Sequence, residues 1–143
     1  MNNVVVLIGR IFLAVMFVLA GFGKLTDPGT ADAAFSTAGM IAGRGLPMPV
    51  VLAYLAGLVE LLGGLAVLVG FQTRIAAWTL ALFSLAAGFL FHFSPTGDPT
   101  MDMINQIMLM KNITIAGGFL VLATYGAGAY SVDAYRGSTL ATA

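Results

Sequence analysis

Glu60 stands in the middle of LAYLAGLVELLGGLAVLVGF, residues 52–71, a stretch that is otherwise apolar almost throughout. A carboxylate there can take up and release a proton, hold a cation, or accept a hydrogen bond from a bound molecule. Lys111, in LMKNITIAGGFLVL, offers an ammonium, and His92, in FLFHF, offers ring nitrogens that exchange a proton near neutral pH. Lys24 ends an earlier apolar run that Arg10 interrupts, and Arg74 introduces another. An acid, a histidine and a lysine, if gathered in a dry site, could supply protons to a reaction that takes them up.

Charges are scarce enough in this chain for each to need a reason. Of 143 residues 59% are hydrophobic and 8% charged, with a mean hydropathy of +0.99. Soluble domains carry about a quarter charged residues, so the composition is that of an integral membrane protein. Six basic and six acidic residues balance, which leaves no basic surface for nucleic acid and no polybasic run for anionic lipid. Cysteine is absent, which excludes a disulfide, a CxxC redox pair, thiolate metal ligation and a cysteine nucleophile. Nothing can hold an iron–sulfur cluster and no dinucleotide fingerprint is present, so a redox role would need a non-covalent cofactor or a partner.

Four segments have the roughly 20 apolar residues that a spanning helix needs: about 4–23, 50–71, 75–93 and 107–127. The chain reads as one all-α transmembrane domain over residues 1–143, an up-down four-helix bundle. The first segment does not read as a cleaved signal peptide: MNN carries no positive charge, and the run is long and interrupted by Arg10. QTR makes a tight turn between the second and third spans, and SPTGDPTMD reads as a short loop before the fourth. In the long connector, TADAAFSTAGMIAGRG reads as a short interfacial helix, with Thr30 as N-cap and an end near 43–45. Four spans put Arg74 and Arg136 on the side of both termini and Lys24 and Arg44 opposite; Arg10 tips the balance towards cytoplasmic termini.

Glu60 falls about 15 Å into its span and Lys111 about 6 Å into the last one. Charges at such depth face the bundle interior and pair with one another. Gly57, Gly63 and Gly64 share the face of Glu60, while Thr114 and Gly118 share that of Lys111, so both point inward where helices approach closely. Glu60 with Lys111 is therefore the expected pair, joined directly or through water. Each charge also has a plainer reading: Lys24 snorkels to the interface, Arg10 and Arg74 anchor the boundary or bind carbonyls, and His92 is an interfacial hydrogen bonder. Phe89, Phe91, Phe93 and Trp78 flank a ring or are simply core. The methionines at 101, 103, 108 and 110 cannot all share one helical face, so they read as gap fillers and no metal site is assigned.

The chain resembles the DoxX family of small four-helix membrane proteins. The likeness is carried by GRIFLAVMFVLAGFGKL, VELLGGLAVLVGFQTRIAA, FLFHF, LMKNITIAGGFLVL and the closing GAGAYSVD, in order along nearly the whole chain. It implies a multi-pass protein of the bacterial plasma (inner) membrane, with shared polar positions at Arg10, Lys24, Glu60, Arg74, His92 and Lys111. Some members of the family are membrane subunits of a thiosulfate:quinone oxidoreductase, and others are linked to quinone or thiol stress or assemble with partner enzymes. The resulting expectation is a membrane subunit that binds a quinone or similar lipophilic molecule and supports an oxidoreductase partner, not a stand-alone redox enzyme. Glu60, Lys111, His92 and Lys24 are its ligand or proton-relay residues, with Arg10 and Arg74 on the inner side. The alternatives are an anchor or assembly subunit with no ligand, and a small transporter. For a transporter, four spans make a thin pathway unless copies associate as a homo-oligomer.

Overall fold

The computed structural model describes residues 3–141, and among these all regular structure is α-helical. The outermost residues of the expected domain, 1–2 and 142–143, lie outside the described part. Six helices follow in order: α1 Asn3–Thr26, α2 Thr37–Gly43, α3 Pro49–Val69, α4 Thr73–His92, α5 Pro99–Tyr125 and α6 Val132–Ala141. Helices α1, α3, α4 and α5 are each long and apolar enough to cross a membrane. α1 packs along α3, α4 packs along α5, and the two pairs join chiefly through α3 and α4.

Small residues set these contacts. A Cβ at Gly21 of α1 would run into the backbone of Leu61 and Gly57 on α3, so only glycine allows this approach. The central core is thin and alanine-rich: Ala14, Ala77, Ala81 and Ala116 surround Leu80 and Phe119. The rings of Phe17 and Phe119 meet edge to face at 5.2 Å, joining α1 to α5. Large apolar side chains such as Phe12, Leu62 and Ile75 point outward, as lipid-facing positions do.

Two helices begin away from where the sequence places them. α5 starts at Pro99, earlier than 107, because Asp98 accepts hydrogen bonds from the N–H groups of Thr100 (2.8 Å) and Met101 (3.3 Å), with proline in the first turn. The polar MDMINQ stretch therefore forms helix, not loop. α2 starts at Thr37, capped by Ser36, whose Oγ accepts from the Gly39 N–H at 2.9 Å. Thr30 is not the cap; its carbonyl accepts from the Ser36 hydroxyl at 2.9 Å. Ala38 and Ile41 of α2 bury against Ala53 of α3, so the short helix roofs one end of the bundle.

Side chains tie the other end together. Arg10, buried on α1, donates from Nε to Val67 O (3.0 Å), from Nη2 to Leu68 O (3.0 Å), and from Nη1 to Ala127 O (2.6 Å) and Tyr130 O (3.0 Å). It thus satisfies the last carbonyls of α3 and holds the turn that follows α5. Asp133 on α6 accepts from the N–H of Gln72 and of Thr73, both at 2.8 Å, and so caps α4 from a distance. Burial raises the pKa of Asp133, but those N–H groups and the charge of Arg136 lower it by more, leaving it below the ordinary carboxylate value. The Asn3 side chain accepts from the Ala129 N–H at 3.2 Å, which places the start of α1 and the turn after α5 together at this end.

Candidate functional site

Lys24 reaches Glu60 because α1 and α3 lie so close. A Cβ added at Gly57, one turn before Glu60, would stand only 3.0 Å from the Lys24 Cβ, and one at Gly64, one turn after, would crowd Phe17 and Val18. From that position the lysine stem runs inward, and Nζ meets Oε2 of Glu60 at 2.7 Å. The side chain of Glu60 is 9% exposed and that of Lys24 22%. Lys24 is therefore a partly buried ion-pair partner and does not snorkel to the interface. No other described residue donates to the carboxylate.

Lys111 does not pair with Glu60, contrary to the expectation from their glycine-lined faces. Gly63 of α3 packs on Leu80 of α4, and Gly88 of α4 packs on Asn112 of α5. Carried across the antiparallel helices, this register puts Lys111 roughly 9 Å nearer the α2 end than Glu60. Lys111 Nζ lies 3.2 Å from the sulfur of Met108 instead. A sequence without register could not place these two lysines relative to the acid.

Both charged groups nonetheless face one cavity of about 400 Å³ beneath α2. Each of the first five helices contributes to it. Lys24 comes from α1, Met40 from α2, Glu60 from α3, His92 from α4, and Lys111 with Asn112 from α5. The remaining wall is apolar, including Met16, Phe83, Ala87 and Phe91. His92 also borders a second cleft of about 240 Å³ with Asp102 and Asn105, between α4 and the start of α5. Its Nδ1 lies 3.1 Å from Oδ1 of Asn105.

Four of the residues singled out in the sequence thus converge: Glu60, Lys24, His92 and Lys111. Arg10 belongs to the opposite end, bound to carbonyls, and Arg74 lies exposed in the first turn of α4 near Gly126. Of the four aromatic residues considered as ring partners, only Phe91 lines the cavity; Trp78, Phe89 and Phe93 are half exposed or more. Phe17 and Phe83 line it in their place. Asn112, adjacent to Lys111, carried no signal of its own. Its Nδ2 donates to Met108 O at 2.9 Å, the ordinary back-bond of a helical polar residue.

Comparison with known proteins places these features in a wider group. The DoxX family model matches residues 5–93 of the chain. The chain is 40% identical over 133 residues to "Inner membrane protein YqjF" of Escherichia coli (strain K12), covering 93% of this chain and 92% of that protein. It is 34% identical over 133 residues to "Inner membrane protein YphA" of the same organism, covering 91% of this chain and 89% of that one. No solved structure matches the chain.

Proposed function

The chain belongs to the DoxX family of multi-pass membrane proteins, and from that premise we propose that it holds a quinone or similar lipophilic carbonyl compound in the cavity around Glu60. The observation that carries this reading is the convergence of an acid, two lysines and a histidine on a largely apolar cavity inside a membrane bundle. At about 400 Å³ the cavity falls within the range of about 300–1,000 Å³ that small-molecule sites occupy. The residues fit such a guest: Phe83, Phe91 and Met16 supply apolar wall, and Lys111 and His92 supply polar contacts for a carbonyl oxygen.

A bound quinone would supply the redox chemistry, accepting electrons and protons at its carbonyl oxygens. Lys24 fixes the rotamer of Glu60, and the carboxylate serves as counter-ion and proton relay. His92, which touches both cavity and cleft, connects that relay with the Asp102 side. Electrons come from an oxidoreductase partner. In this reading the protein resides in a bacterial inner membrane, as the names of its relatives say of them, with its termini in the cytoplasm.

The test is titration of short-chain ubiquinone and menaquinone analogues into the purified protein in lipid nanodiscs. Saturable binding at one per chain is expected, abolished by Ala87→Phe, which fills the cavity while far-UV circular dichroism shows the helices intact. Absence of saturable binding to the unaltered protein defeats the reading. An assembly subunit without a ligand is the second reading, favoured by Phe35, which stands 93% exposed on the connector. Co-purification of a stoichiometric partner from membranes, lost on Phe35→Ser, would support it.

A further inference from the structure

The charges facing the cavity do not balance. Lys24 and Glu60 neutralise each other on the α1–α3 side. α2 contributes no charged group to the lining, and α4 contributes His92. On α5, Lys111 has no carboxylate within ion-pair distance among the described residues. Its contact with the thioether of Met108 at 3.2 Å is a weak one, because sulfur is a poor acceptor and carries no charge. An ammonium inside the membrane boundary without a counter-ion is costly, and such groups normally find a partner.

The ligand itself can be that partner. Resting on the cavity as a binding site, we propose that its preferred guest is a lipophilic acid in anionic form, with the charged oxygen held at Lys111 Nζ. The body of the guest lies against Met16, Phe83 and Leu90. Access fits this placement: α1 and α5 touch at Leu13–Gly118 and Phe17–Phe119, whereas Lys24 and Lys111 both line the cavity. Lys111 is exposed as well as lining the cavity, which puts it at the cavity's mouth. An ionised hydroxyquinone and a fatty carboxylate present the same chemistry, a delocalised oxygen anion on an apolar body.

The experiment compares three probes in nanodiscs, with empty nanodiscs as the control for partitioning. 2-Hydroxy-1,4-naphthoquinone, a vinylogous acid, is ionised at neutral pH, 2-methoxy-1,4-naphthoquinone is its neutral counterpart, and decanoate is an anion with no quinone ring. Isothermal titration is expected to show the hydroxy compound binding about tenfold tighter than the methoxy compound, with Lys111→Met reducing the ratio to about one. Lys111→Gln, which keeps a polar side chain without the charge, should behave as Lys111→Met does. Equal binding of the two naphthoquinones, or a preference that survives both variants, overturns the anion preference and leaves the quinone reading intact. Lys111-dependent binding of decanoate with no binding of either naphthoquinone upholds the anion preference and removes the quinone. If none of the three binds, both fall.

Discussion

Pairing of Glu60 with Lys24, and not with Lys111, can be measured as a coupling energy. Replacing Lys24 by Met strands a carboxylate that is 9% exposed and has no other donor among the described residues. Removing one partner of a buried ion pair costs about 3–5 kcal/mol, and the lower end applies here because Lys24 is itself 22% exposed. Glu60→Met strands a lysine whose flexible stem can swing towards the interface, which reduces the loss to about 1–2 kcal/mol. With both replaced, no charge is stranded and two apolar side chains fill the seam, so the double variant should lie within about 1 kcal/mol of the parent. The expected coupling is about 4 kcal/mol. It is read by unfolding in mixed micelles with rising SDS, followed by far-UV circular dichroism. A parallel cycle of Glu60→Met with Lys111→Met should be additive to about 0.5 kcal/mol, since the two groups are not in contact. Additivity in the Lys24 cycle, or an equal coupling to Lys111, would refute the assignment.

Further outcomes concern the scaffold. Arg10→Leu leaves four carbonyls without their donor and should lower stability by about 3 kcal/mol or more in the same micelle assay; Arg10→Lys should recover little, because an ammonium lacks the planar fork that spans them. Gly21→Ala forces α1 from α3 and should cost about 2 kcal/mol, whereas Gly117→Ala, with nothing within 4 Å of the new methyl, should be neutral or gain up to about 1 kcal/mol. The folded-state pKa of Asp133 is depressed, so its contribution is complete above the ordinary carboxylate value and declines as pH falls through the lowered one. Thermal unfolding across the acid range should show that decline in the parent and not in Asp133→Asn.

Hydropathy made the four spans legible because lipid imposes a minimum apolar length on each. It was least informative where helices run beyond the lipid. The first turns of α5 are polar, and their start was signalled only by Asp98 followed by Pro99. α6 has almost no hydropathic signature, although Ser131 accepts from the Ala134 N–H at 3.1 Å in the manner of a cap. Site residues were readable as types, since charge at membrane depth is rare. Their partners were not, because pairing depends on helix register. Glu60 sees Lys24 because Gly57 and Gly64 bring α1 near, and those same glycines are equally compatible, on paper, with any neighbouring helix.

Arg10 fastens α1, the end of α3 and the turn after α5 at a single point, whereas at the α2 end, among the described residues, Lys24 ties α1 to α3 and Asn105 ties α5 to α4, with no hydrogen bond or ion pair joining α1 to α5. On the proposed binding role the bundle would act as a pair of tongs, with Phe17 and Phe119 as the last α1–α5 contact before the cavity. A guest would then enter by parting α1 from α5 beyond that contact, away from the knotted end. On that reading, loosening the knot would rattle the whole bundle without hastening entry, whereas trimming a wall residue outside the Lys24–Glu60 pair, such as Leu90, would change how fast molecules come and go at little cost to the melting point.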